Sequence, residues 1–119
     1  MLKEMGETFV RFKIWGGDGR AAEVEAPADT GATFSKIPER LAEELRLEIV
    51  DQVEVEIGDR KAVRKLARAE AELEGIKRTI YLTIGKEGER PLLGYTALEV
   101  FGFKVNPLTG RLERALPVE

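Results

Sequence analysis

Ala28-Asp29-Thr30-Gly31-Ala32-Thr33 is the stretch of this sequence best suited to chemistry. It lies between a strand-like run and a charged, helix-like one. A carboxylate on a tight turn directly after a core strand is held on a rigid support, out of bulk water. Glycine two residues later lets another backbone approach closely. The threonine hydroxyl can both donate and accept hydrogen bonds, so it can lock the loop. These are the features of a preorganised acid/base site. Asp and Gly are also common turn residues, so the triplet taken alone fits a structural turn equally well. The segment that follows, Ala32-Thr33-Phe34-Ser35 and then Ile37-Pro38 before a helix, is more than an ordinary turn requires.

The rest of the composition narrows the chemistry further. The chain has no histidine and no cysteine, which excludes Ser-His-Asp and Cys-His nucleophiles, the usual zinc sites and disulfides. Catalysis must therefore run on carboxylates, hydroxyls, lysines or arginines, and neither a metal nor another cofactor is expected. A net charge of −3 argues against a dedicated nucleic-acid binder, which needs clustered positive charge. The densest basic stretch, Arg60 to Arg68, alternates with apolar residues and is followed by an acidic one, so it reads as a solvated strand face. No apolar run approaches a membrane span, and the opening MLKEMGETFVRF lacks the apolar core of a signal peptide. A cytoplasmic location without a membrane partner is the expectation. Many Glu, Lys and Arg with few Met suit a thermophile's cytoplasm.

A length of 119 residues makes one domain, 1–119, with room for a real core but not for two lobes. Thr8 to Trp15 is rich in β-branched and aromatic residues and reads as a strand. Gly16-Gly17-Asp18-Gly19 is a hairpin turn, and Arg20 to Ala26 returns as a strand that ends at Pro27. Pro38 to Leu47 carries Leu41, Leu45 and Leu47 near helical spacing, with Pro in the first turn. Val53 to Ile57 alternates strictly, Gly58-Asp59 turns, and Lys61 to Leu66 returns. Ala69 to Glu74 and Ile76 to Ile84 form a further hairpin about Gly75, followed by a polar loop, Gly85 to Arg90. Thr96-Ala97-Leu98-Glu99 has the form of a capping box opening a helix that stops at Gly102. Phe103 to Glu113 reads as two short strands about an Asn106-Pro107…Gly110 turn. Many short strands with two short helices indicate a mostly-β barrel or sandwich.

With these parts in order, Ala28 to Thr33 resembles the active-site loop of the aspartic proteases, in particular the single-domain, retropepsin-like kind. Ser35-Lys36-Ile37-Pro38 is similar to the helix-leading Ser-x-Ile-Pro of cellular members. Val53 to Leu66 looks like a flap hairpin with its tip near Gly58-Asp59-Arg60. Leu92-Leu93-Gly94, leading Tyr95 to Glu99, resembles the apolar-apolar-Gly segment before a short helix. Gly102 to Leu112 resembles the closing hairpin of archaeal and bacterial members. The likeness spans roughly Phe9 to Leu112.

The resemblance implies an all-β fold, a closed or partly open acid-protease barrel with two short helices and one lobe per chain. It also implies two carboxylates that share a proton, one acting as base toward water while the other donates to the substrate carbonyl. One Asp-Thr-Gly per chain then requires a symmetric homodimer with Asp29 facing its copy. Thr30, Gly31, Ala32 and Thr33 would form the active-site loop, in which Thr30 would fasten the two loops across the interface and Gly31 would lie beside bound peptide. Leu92, Leu93 and Gly94 would brace the loop. Ile57, Gly58, Asp59, Arg60 and Lys61 would close over an extended peptide paired as an added strand. The partners implied are a second copy and a peptide or protein substrate.

The chain departs from that pattern in places. Ala26-Pro27-Ala28 stands where an apolar run such as Ala-Leu-Val is usual, and proline is rarely tolerated in central strands. The hairpin tip has the single Gly58 instead of several glycines. Tyr95 and Asn106 also differ from the familiar residues. Two other readings stand beside the protease. A catalytically weak or inactive peptide-binding or dimerisation module would keep the same fold. The faint echo of an aspartyl-phosphate loop in Asp29 to Thr33 lacks the alternating βα pattern it needs, and no glycine is followed by the Lys-Ser/Thr of a phosphate loop.

Overall fold

Period-two alternation builds the frame. In β1 (Phe9–Trp15) Val10, Phe12 and Ile14 point into the core while Arg11 faces water. The chain returns through a glycine-rich turn as β2 (Ala21–Asp29), antiparallel to β1 with Phe12 opposite Val24. The structure, a computed structural model, describes residues 7–119. Half of the opening segment on which the signal-peptide reading rests, residues 1–6, lies outside the described residues.

Beyond β2 come β3 (Ser35–Pro38), α1 (Glu39–Glu44), β4 (Glu48–Ile57), β5 (Arg60–Leu73), β6 (Ile76–Gly85), β7 (Leu93–Gly94), α2 (Tyr95–Phe101), β8 (Phe103–Asn106) and β9 (Arg111–Arg114). The main sheet runs β3-β6-β5-β1-β2-β7, with β4 also paired to β5. The β3–β6 and β2–β7 pairs are parallel and the others antiparallel. β8 and β9 form their own hairpin. Two hydrogen bonds of 3.0 Å, one each way between the backbones of Lys36 and Leu92, bring the sheet's two ends together. They form an isolated bridge, not a ladder, so the molecule is mainly β and partly open. Inside this curl α2 buries Ala97, Leu98 and Phe101 among Ile37, Leu82 and Leu93. No helix among the described residues is long and apolar enough to cross a membrane.

Several elements differ from the sequence expectations, each for a local reason. The two strands expected at 61–66 and 69–74 are one, β5. Leu66 and Ala67 are both buried, so the alternation slips there without a break. The register against β4 shifts opposite that point, between Ile49 and Asp51. β4 starts at Glu48 and not at Val53, because its first residues are exposed on both faces and carry no apolar period. Ser35–Pro38 is a strand paired with Leu82 to Gly85, too short to show a pattern of its own. The helix after it stops at Glu44, and Arg46 takes a positive φ of 51°, which turns Leu47 out of the helical line.

Two expectations about single residues are overturned. No side chain caps α2, whose N-cap residue is Gly94. Thr96 Oγ1 instead donates to the Thr33 carbonyl at 2.6 Å, and Glu99 accepts from the Tyr95 hydroxyl at 2.9 Å. The helix does end at Gly102, as expected. Pro27 does not end β2 but lies buried within it, opposite Phe9. The Ala28 amide donates to Thr8 O at 2.7 Å, so by alternation the Pro27 nitrogen faces away from β1. On that other edge the ladder to β7 begins only at Ala28. The missing N–H therefore removes no ladder bond.

Candidate active site

Asp29 is the last residue of β2, half-buried, beside Gly94 in the parallel pair. Its Oδ1 accepts the Gly31 amide at 2.9 Å, and its carbonyl accepts the Ala32 amide at 3.2 Å. The carboxylate thus stabilises its own turn, the local motif that favours Asp in such positions. Oδ2 has no hydrogen-bond partner among the described residues.

The loop that follows is held from the other side by the start of α2. Ser35 Oγ, fully buried, accepts the Gly94 amide at 2.9 Å. The Tyr95 amide donates to Ala32 O at 2.7 Å, and the Thr96 amide to Thr33 O at 3.2 Å. Together with Thr96 Oγ1, four donors from residues 94–96 fasten the loop. Three of them are helix-start amides that would otherwise need other acceptors. Close approach is what makes Gly94 necessary. A Cβ there would lie 2.4 Å from the Phe34 carbonyl carbon and 2.5 Å from its oxygen.

Opposite the loop stands the β4–β5 hairpin. Ile57 pairs with Arg60 across the two-residue turn, and Gly58 takes the positive φ of 61° at its first position, where tight hairpins favour glycine. Between loop and hairpin lies a groove of about 410 Å³. Its walls include Gly31 to Phe34 on one side and Glu54 to Ile57 on the other, with Lys36, Arg64, Thr83, Glu89 and Leu92 among the remaining lining residues.

No protein-family model matches the chain, and no curated protein matches it in sequence. Solved structures do. The retroviral protease-like domain of Ddi1 from Leishmania major aligns with a TM-score of 0.59 at 16% identity, over 93% of this chain and 90% of that one. A retropepsin-like aspartic protease from Rickettsia conorii gives 0.52 at 15%, over 88% and 91%. The simian foamy virus (mac) protease gives 0.55 at 14%, over 76% and 91%. The chain has the retropepsin-like fold. In the foamy viral protease-reverse transcriptase, the matched part is 11% of that much longer chain, with a TM-score of 0.55 at 13% identity.

Within this retropepsin-like fold, the residues singled out in the sequence fall into three places. Gly31, Ala32, Thr33, Ile57 and Leu92 meet around the groove. Asp29, Leu93 and Gly94 sit side by side where β2 meets β7, and Thr30 is exposed on the turn between them and the groove wall. Gly58, Asp59, Arg60 and Lys61 form the exposed hairpin tip and do not line the groove.

The sequence reading missed the charged part of the site. Arg64 belongs to a stretch read as a solvated face, yet its side chain is only 7% exposed and donates to Glu89 Oε2 at 2.8 Å. Lys36 Nζ stands 3.6 Å from Glu89 Oε1, which also accepts the Lys86 amide at 3.3 Å. Burial pushes the Glu89 carboxyl up, but the hydrogen bond and charge of Arg64, together with Lys36, outweigh it and hold the group below its ordinary range. A signal was present. Arg64 shares strand parity with Ala62 and Leu66, the inward face of β5. Among the described residues, no cluster of acidic side chains converges to hold a metal ion.

Proposed function

We propose that this chain is an aspartic endopeptidase, active as a symmetric homodimer in which Asp29 of each protomer faces its copy across the two-fold axis. One observation carries the reading. Asp29 presents an Oδ2 with no hydrogen-bond partner among the described residues, on a turn clamped by four hydrogen bonds from residues 94–96, beside the groove beneath the β4–β5 hairpin. A lone carboxylate there could act only as a base, whereas two in contact share one proton and supply both base and acid. The unprotonated carboxylate takes a proton from water as the water oxygen bonds to the scissile carbonyl carbon. The protonated one gives its proton to the carbonyl oxygen. Collapse of the tetrahedral species breaks the C–N bond and returns a proton to the leaving amine.

In this picture Thr30 hydrogen-bonds across the interface, and the hairpin tip from Gly58 to Lys61 folds over an extended peptide as a flap. The substrate binds as an added strand whose backbone supplies most of the pairing. A cytoplasmic setting, with neither nucleic acid nor membrane as partner, fits the composition.

The test is cleavage of a mixed peptide library between pH 4 and 7 by the protein and by Asp29→Asn, with the oligomeric state followed by light scattering. Cleavage by a dimer, abolished in the variant, is the expected result. Cleavage that survives the substitution, or cleavage by a species that stays monomeric at all concentrations, overturns the mechanism.

A further inference from the structure

The groove is charged on one side, and that charge is incompletely matched. Arg64 enters it from the inward face of β5, in register with Val53, and Lys36 enters from β3. Glu89, on the loop after β6, lies between them at 2.8 Å from Arg64 and 3.6 Å from Lys36. Two cations against one carboxylate leave one positive charge in excess. Glu89 is also the only hydrogen-bond partner of Arg64 among the described residues. Among the described residues no enclosed side-chain nitrogen lacks a partner, so the remaining guanidinium N–H groups are accessible to solvent, and Arg64 lines the groove. A guanidinium has five donors in a fixed fork, and one carboxylate oxygen occupies only one of them here.

The surroundings strengthen the effect. Phe34, Val55, Ile57 and Leu92 contribute apolar wall, and a charge beside apolar wall is less screened than one in open water. Glu54 and Glu56 also border the groove. Both are exposed, however, and stand on the face of β4 opposite Val53, Val55 and Ile57, where water and salt screen them.

We propose that Arg64 and Lys36, bridged by Glu89, form a subsite that selects an acidic side chain of the bound peptide. An aspartate or glutamate carboxylate there accepts the free N–H groups of Arg64 and pairs with Lys36. This rests on the peptide-cleaving reading above for its substrate, though not for its chemistry.

The experiment uses pairs of labelled peptides that differ only by Glu against Gln at each position in turn. Cleavage by the wild-type protein is read as kcat/KM, and binding to Asp29→Asn is read by fluorescence anisotropy. The expected result is a preference for Glu of about tenfold at one position, the size of one charge-assisted hydrogen bond in a half-open site. The preference falls several-fold in Lys36→Met and rises in Glu89→Gln, which removes the competing carboxylate. Arg64→Gln should abolish it, and Lys36→Met keeps the test valid if that variant does not fold. Equal use of Glu and Gln at every position, or a preference unchanged in Lys36→Met, overturns the proposal. If nothing is cleaved but Asp29→Asn still binds the Glu peptide in a Lys36-dependent way, the protease reading falls and the subsite stands. Absence of both cleavage and preferential binding overturns the subsite.

Discussion

Ser35 Oγ accepts the amide hydrogen of Gly94 at 2.9 Å, joining two positions 59 residues apart in sequence. The contact is fully enclosed on the Ser35 side. It holds the end of the Asp29 loop against the start of α2, so loop and helix are positioned as one unit.

Ser35→Ala leaves the Gly94 amide buried without its acceptor. The cost of such an orphaned donor is about 1–3 kcal/mol, measurable as a lowered denaturation midpoint with an unchanged slope. Ser35→Thr retains the oxygen but adds a methyl group to a filled site, so it should recover only part of the loss.

Gly94→Ala is the more severe change. Its Cβ would meet the Phe34 carbonyl carbon at 2.4 Å and the Ser35 nitrogen at 2.7 Å. Those are backbone atoms, so relief requires the loop itself to move. A loss of about 3 kcal/mol or more is expected from overpacking of this kind, together with loss of any peptide cleavage. Thermal unfolding of the purified variant checks the first, and a peptide assay the second.

Glu74 offers a change in the opposite direction. It sits in the two-residue turn between β5 and β6 with a positive φ of 52°, a conformation that asparagine tolerates far better than glutamate. Glu74→Asn should stabilise the fold by about 0.5–1 kcal/mol. A Tm that stays level or falls would contradict this.

The Arg64–Glu89 pair predicts a pH dependence of definite sign. Glu89 is held below its ordinary value of 4.5 in the folded chain. A carboxyl lowered by folding contributes stability above the unfolded-state pKa and loses it as the pH falls through the folded one. The native protein should therefore weaken on acidification below about pH 4.5. Glu89→Gln should be less stable than wild type at neutral pH, and the difference should shrink toward pH 3. Melting curves across that range decide it.

What could be read in the sequence was what short-range patterns carry. β1, the β4–β5 tip and the closing hairpin followed from alternation and turn residues, and α2 from its end at Gly102. Asp29 stood out because its neighbours are unusual for a plain turn. The failures share a cause. The start of β4 and all of β3 have no apolar period, because β4 is exposed at an edge and β3 has only four residues. Thr96 looked like a helix cap because local sequence cannot show that the Thr33 carbonyl, 63 residues away, competes for its hydroxyl. Pro27 was misjudged because alternation decides which strand edge lacks the donor, and that edge happens to have no ladder partner yet. Arg64 was hidden by its charge, although its parity placed it inside.

β5 belongs to two bodies at once. Near Arg60 it is half of a free-standing ribbon, and by Lys13 opposite Glu72 it is in the middle of the sheet. A strand so anchored behaves as a cantilever, rooted in the core and loaded at the tip. Bending at Gly58 is then resisted by the same backbone that carries Ala67, Ala69 and Ala71 inside. Amide exchange should slow stepwise along this one strand, fastest at Arg60 and slowest near Ala71, with the step where Leu66 and Ala67 enter the core. The stiffness of the hairpin is thus set by the interior, and substitutions at Ala67 can retune how the tip moves without touching it.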